Sequence, residues 1–333
     1  MRPNVILLVT LMLCLALASG EEPRQILIIN AQTGEPYDSA RIALIQELDR
    51  IGYSEADGTL QIRTYSLGNN MEFMKRIQTL EGDTISKYDA ILLNGTIALL
   101  AAKELWYGRA DLDFLFFNIT DPLGSGVIDG FSKPPKANFS GISYPVPVRE
   151  RLRFLRRILP AARRIGYLYA DMPQSWSYNR WLEEALAEAE FRDLELVMRK
   201  IDFVAGENGS IRMAIVAAEQ AALLNDEVDV FLAPNDQMGI NFEFSRRISR
   251  LVNKPIVALG YQEIADHSGA LMSIYPDTTE VGRRMAGMVQ SLFNGASIQD
   301  VYPEQPPYDY ILDKNQVQRF GIVVPPEYSE KLQ

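Results

Sequence analysis

Short apolar runs alternate with amphipathic stretches along nearly all of this 333-residue chain, and that alternation limits what it can fold into. "QILIINA" (Gln25–Ala31) is a β-branched run of the kind buried on both faces of a sheet. "DSARIALIQELDRIGY" follows with apolar residues at helical spacing and Gly52 as a stop. "LQIRTYSL", "YDAILLNG" and "LDFLFFNIT" read as further strands, with helices predicted at "NMEFMKRIQTLEGDTI" and "TIALLAAKELW". The second half repeats the rhythm from the short strand "NFSGISYP" onward and closes with a strand and short helix in "YDYILDKNQVQRFGI". Two successive sets of strand–helix units predict two α/β lobes, each built on a parallel sheet.

The first twenty residues stand apart. Arg2 precedes an apolar run from Val5 to Ala18, which ends in "ALASG" before Glu21 and Glu22. That run is too short to span a bilayer comfortably. The pattern is that of a cleaved export signal, with cleavage expected after Gly20. The single cysteine, Cys14, follows Leu13 rather than a small residue, so lipidation is not expected. The mature chain would then lack disulfides, thiolate nucleophiles and cysteine metal ligands. Export without disulfides suits a bacterial periplasm. A net charge of -10 argues against nucleic acid, whose phosphates need cations, and against docking on anionic lipid.

Ligands in parallel α/β sheets bind outside the strand C-ends. Polar or aromatic groups fall there repeatedly: Asn94-Gly95-Thr96, Thr120-Asp121, Asp171 to Tyr178, Asn235-Asp236 and Tyr261-Gln262. Such residues also cap helices, so each cluster has two readings. In "NITDPLGSGVIDG" (Asn118–Gly130), Pro122 ends a strand, and Asp121 either touches ligand or ties its own loop together. The spacing in "GSGVIDG" is wrong for a dinucleotide fingerprint, and there is no nucleophile elbow or Walker loop. His267, the only histidine, is the only possible triad base. No partner nucleophile is marked out, and His267 reads as a loop residue. No cofactor or metal is expected. "SWSYNRW" places Trp176 and Tyr178 either as an aromatic wall for a flat ligand or as packing onto their own lobe. "VRERLRFLRRILPAARR" reads as a helix with a solvated cationic face.

"FFNITDPLGSGVIDGFSKPPKANFSGIS" resembles the exported ABC-transporter substrate-binding proteins that include tryptophan-type binders. In that family a strand enters T-D-P-x-G-small-G, then a Pro/Gly-rich connection, then N-x-S/T-G-x-S. "GEPYDSARIALIQEL", "LLNGTIALLAA", "LRFLRRILPAARRIGYLYAD" and "GALMSIYPDTTEVGRRMAGMVQSLFNGASIQDV" resemble further family segments in order.

The resemblance implies a type I periplasmic-binding-protein fold: two lobes, three hinge crossovers, closure on a ligand and no chemistry. The crossovers are expected near Asn138–Ser143, Ser273–Asp277 and Pro306–Tyr310. Lobe one would comprise residues 21–140 and 277–305, and lobe two residues 141–276 and 306–333. The implied ligand positions are Tyr37 and Asp38; Asn94, Gly95 and Thr96; Thr120 and Asp121; Ser175, Trp176, Ser177 and Tyr178; Asn235 and Asp236; and Asp277. Tyr261 joins them from its strand end. Thr96 and the N–H groups at its helix start would seat a carboxylate, and Asp277 an ammonium. The expected ligand is an amino acid or similar zwitterion, aromatic ones included. The expected partner is an ABC permease, and the protein a monomer. The alternative is a periplasmic sensor module for a membrane receptor kinase. A hydrolase on this fold would need His267. "GTIALL", "PNDQMG" and "YPDTTEVG" depart from the family pattern and bear on ligand identity.

Overall fold

The computed structural model describes residues 22–131, 133–206 and 208–333. The predicted export signal, with Cys14, lies outside the described residues. Among the described residues, eleven strands form two sheets, a five-stranded and a six-stranded one.

The first sheet holds β1 (Arg24–Asn30), β2 (Leu60–Ser66), β3 (Ala90–Asn94), β4 (Phe114–Ile119) and β5 (Phe139–Ser143), all parallel, in the order β2-β1-β3-β4-β5. Side-chain alternation explains its two buried faces. Ile26 and Ile28 pack with Ala40, Leu44 and Leu48 of helix α1 (Tyr37–Arg50). Leu27 and Ile29 face the opposite cluster, with Leu99 and Trp106 of α3 (Thr96–Trp106). Between these helices in the chain, α2 (Glu72–Glu81) adds Met74 and Ile77 to the same cluster as α3. Its predicted continuation through Ile85 is a 3-10 turn instead, because Gly82 takes φ +50° and breaks the α-helical ladder.

The second sheet holds β6 (Arg164–Ala170), β7 (Glu195–Ile201), β8 (Val230–Leu232), β9 (Ile256–Ala258), β10 (Met272–Pro276) and β11 (Tyr308–Leu312). Their order is β11-β10-β9-β8-β6-β7, with only β11 antiparallel to its neighbour. Helices α4 (Val148–Ile158) and α5 (Pro173–Leu186) cover one face; α6 (Gly209–Leu224) and α7 (Phe242–Leu251) cover the other. The predicted solvated face of α4 is present: Arg149, Arg153 and Arg156 pair with Glu188, Glu190 and Asp193. Arg151 departs from it. It is 1% exposed and donates to the Tyr178 hydroxyl and to the carbonyls of Ala233 and Ala258.

The chain passes between sheets three times. The strand "NFSGIS", which the sequence rhythm places at the head of the second set, is β5 of the first sheet. Gly141 makes this possible: at φ +147° a Cβ would sit 1.9 Å from the Phe116 carbonyl oxygen. The first passage therefore follows Ser143 rather than beginning at residue 141. The second is at Asp277, where α8 (Gln262–Ala265) and β10 have ended and α9 (Thr278–Phe293) returns to pack in the first-sheet cluster with α1. The third precedes β11 and α10 (Lys314–Phe320). The passages are bonded side by side: Ser143 N–H donates to the Glu304 carbonyl (2.9 Å) and Asp277 N–H to the Pro307 carbonyl (2.9 Å).

Candidate functional site

Strand order reverses beside β1 and beside β6, and such switch points open a crevice at the strand C-ends. The two crevices face each other. Between them lies a narrow slot of about 40 Å³ lined from both sheets. It adjoins a chamber of about 370 Å³, and Pro36, Tyr144 and Ile240 wall both spaces. The chamber falls within the size range of small-molecule pockets; the slot has room only for a polar head group.

The floor of the slot is a ladder of asparagines from successive strand ends. Asn94 donates to Asn30 Oδ1 (2.8 Å) and to the Tyr37 carbonyl (3.0 Å), and Asn118 donates to Asn94 Oδ1 (2.8 Å). Asn118 sits at φ +56°, where the β4–β5 register shifts. A non-glycine residue held there is strained, and such strain gathers at functional positions. Gly95 has φ +106°, and a Cβ on it would lie 2.6 Å from Tyr37 Cε1. Glycine thus lets the Tyr37 ring close over the start of α3. Thr96 opens α3, and its hydroxyl accepts from Thr120 N–H (3.1 Å). The unbonded N–H groups of a first helical turn make this a seat for an anion.

The opposite wall comes from the second sheet. Asp236 is 5% exposed and is fully engaged. One oxygen accepts from Met238 and Gly239 N–H (both 2.9 Å); the other accepts from Ala170 N–H (2.8 Å) and Ser175 Oγ (2.9 Å). Burial raises its carboxyl above the usual range, against the pull of those bonds. It fastens the ends of β6 and β8 and the start of α5, and so holds Gln174, Asn235 and Gln237 against the slot. Two contacts already span the gap: Asn235 Nδ2 to Thr120 Oγ1 (3.4 Å) and Arg180 to Asp121 (3.0 Å).

Of the residues expected at a site, Tyr37, Thr96, Thr120, Asn235 and Asp236 line the slot, while Tyr261 and Asp277 line the chamber. Asn94 and Gly95 lie beneath the slot. Asp121 ties its own loop, accepting from Gly124 N–H (2.6 Å), in addition to pairing with Arg180. Asp38 likewise caps its loop through Gly34 N–H (2.7 Å). Asp277 caps α9 through one oxygen, which accepts from Glu280 N–H (3.0 Å). Of the two readings of "SWSYNRW", packing onto its own lobe describes Tyr178, and neither Trp176 nor Tyr178 lines the slot or the chamber. Helical spacing turns Trp176 outward, 56% exposed and bonded to Asp171, and buries Tyr178 against Arg151. Ser177 borders neither space, and Ser175 is buried beneath Asp236. His267 pairs with Asp313 (2.7 Å) away from both.

Asn118, Gln174 and Tyr144 also line the slot, and Tyr144 and Glu263 the chamber; none of them stands out in the sequence. Tyr144 is the common wall of slot and chamber, and its phenol is pushed well above 10 by burial, then by the charges of Glu263, Tyr37 and Glu35. Burial likewise lifts Tyr37 to about 12, so both hydroxyls stay protonated donors. Glu263, in the chamber wall and 1% exposed, is raised to about 7 by burial, against backbone N–H bonds and the attraction of Arg151. Tyr261 and Tyr275 pack edge to face (5.3 Å) in the same chamber.

Comparison with known proteins agrees with this architecture. The sequence profile of the ABC transporter substrate binding protein family matches residues 26–331. A tyrosine-binding protein of Clostridioides difficile is 22% identical over 268 residues, which are 79% of this chain and 71% of that protein. Among solved structures, a Streptococcus pneumoniae ABC domain in complex with L-Trp superposes with a TM-score of 0.73 at 18% identity, covering 93% of this chain and all of that one. The ligand-free, open structure of a Clostridium difficile substrate-binding protein with adhesive properties gives 0.72 at 20% identity, covering 93% of this chain and 98% of that one. At these identities the structural likeness shows the fold alone. The family profile spans nearly all of the described residues, and the chain belongs to the ABC transporter substrate-binding protein family.

Proposed function

We propose that this protein is exported and captures an amino acid, with aromatic side chains preferred, between its lobes for delivery to an ABC permease. The observation that carries this reading is the pairing of two unlike spaces. The slot holds the start of α3 with the hydroxyls of Thr96 and Thr120, a seat for a carboxylate. The adjoining chamber is walled by Tyr144, Tyr261 and Tyr275, which suits a flat apolar side chain. A head group in the slot and a side chain in the chamber use both spaces at once. The tyrosine-binding and L-Trp-bound relatives support the same ligand class. Export rests on the apolar run Val5–Ala18 and its small-residue end.

Because the lining comes from both sheets, ligand contacts add to the two that already span the gap, and binding shifts the lobes toward closure. A thermal-shift panel of amino acids, sugars, nucleosides and purines tests the proposal. A raised melting temperature with tryptophan or tyrosine supports it; a response confined to sugars sinks it.

A further inference from the structure

The acids in and beside the slot are already engaged, and Asp277, the residue expected to hold an ammonium, lies in the chamber instead. Among the described residues lining the slot, Asp236 is the only acid, and both its oxygens each accept two hydrogen bonds from the protein. Asp121 is bonded to Gly124 and Arg180. Three residues that line the slot, Asn118, Gln174 and Asn235, each carry a buried amide oxygen (Oδ1, Oε1 and Oδ1) without a hydrogen-bond partner among the described residues. Their residues are 5%, 7% and 3% exposed. A buried acceptor left unbonded is costly, so several gathered around one space call for donors.

The orientation of Asn118 follows from its neighbours. The Tyr37 carbonyl can only accept, so the Asn94 atom 3.0 Å from it must be the nitrogen. Asn94 then turns its oxygen to Asn118, which must answer with its own nitrogen at 2.8 Å. The Asn118 oxygen is thereby left facing away from the ladder. Exchanging oxygen and nitrogen anywhere along the row would set acceptor against acceptor. The strained backbone at Asn118 holds this oxygen in place.

We infer that these three amide oxygens form an uncharged seat for a primary ammonium. Three acceptors match the three N–H donors of that group. Asn118 lies in β4 of the first sheet, while Gln174 is in the first turn of α5 and Asn235 follows β8 on the side of the second sheet, so the ammonium links the lobes, and the neighbouring Asp236 carboxylate adds negative potential. This inference rests on the zwitterion reading and sharpens it: the chain selects for an ammonium without a free carboxylate in the slot.

Calorimetric titration of the protein with L-tryptophan, indole-3-propionate (no ammonium) and tryptamine (no carboxylate) tests it. Wild type should prefer L-tryptophan to indole-3-propionate by about a hundredfold or more. Gln174→Met, similar in size but a poor acceptor, should cut that preference about tenfold. Gln174→Glu, which accepts and adds charge, should widen it; a packing role for Gln174 would not separate the two variants. The seat is overturned if both variants keep the wild-type preference, or if Asp277→Asn abolishes it while they do not. Equal wild-type binding of indole-3-propionate and L-tryptophan also removes the seat, but leaves the carboxylate site standing. Binding of tryptamine that depends on Gln174, with none of L-tryptophan, keeps the seat and removes the zwitterion reading. If neither amine binds, both fall.

Discussion

Replacing Glu263 with Gln removes a charge that the fold holds at a loss. Glu263 is 1% exposed, and burial lifts its carboxyl from 4.5 to about 7. The unfolded chain releases this proton near the lower value and the folded chain near the higher. Between them the folded state binds more protons, so stability falls as pH rises. The gap, at about 1.36 kcal/mol per pH unit, amounts to about 3 kcal/mol, most of it lost between about pH 5 and pH 8. Gln keeps an oxygen for the N–H groups of Leu259 (3.4 Å) and Gly260 (3.2 Å) and carries no charge. Urea denaturation at both pH values checks this. Wild type should lose about 2–3 kcal/mol more than the variant on going to the higher pH. Equal pH dependence in the two proteins would refute the reasoning, because Glu263 would then carry its charge in the chamber wall without penalty.

Gly95→Ala places a Cβ 2.6 Å from Tyr37 Cε1 at φ +106°, and should destabilise by about 2–4 kcal/mol by denaturant titration; a loss under about 1 kcal/mol would mean that Tyr37 moves aside freely. Arg180→Ala breaks the pair across the gap, in which the Arg180 end is exposed and the buried Asp121 keeps its bond from Gly124 N–H. It should change stability by under about 1 kcal/mol, yet weaken ligand binding severalfold and flatten its salt dependence in calorimetry. An unchanged salt dependence would mean that the pair takes no part in closure. Trp176→Ala should leave affinity within about twofold, since the ring is 56% exposed; a tenfold loss would return Trp176 to the cleft.

The fold is legible in the sequence because both faces of each sheet are buried. Runs such as Ile26–Ile29 must then be apolar throughout, and the helices between them show their one buried stripe. The assignment of β5 was hidden for a local reason: membership of a sheet depends on the approach of Gly141 to Phe116, which no periodicity encodes. At the site, strand ends point to Thr96, Thr120 and Asn235, because parallel sheets place their C-ends together. They do not say which acids are spent on structure. Asp236, Asp121 and Asp38 look alike as free carboxylates in sequence, and their bonds to backbone N–H groups decide otherwise. Composition misleads at Trp176, where aromatic content suggests a wall and helical phase turns the ring to solvent. Asn118 is visible only once its positive φ and the polarity of the ladder are known.

The central claim is that the slot and chamber together bind an amino acid through a carboxylate at the start of α3. Isothermal titration with L-tryptophan and L-tyrosine, beside tryptamine and tyramine, measures it most directly. Dissociation constants of about micromolar are expected for the amino acids, and binding weaker by at least about tenfold, or about 1.4 kcal/mol, for the decarboxylated compounds. Equal affinity for tyramine and tyrosine, or binding of sugars with no heat from either amino acid, would contradict it.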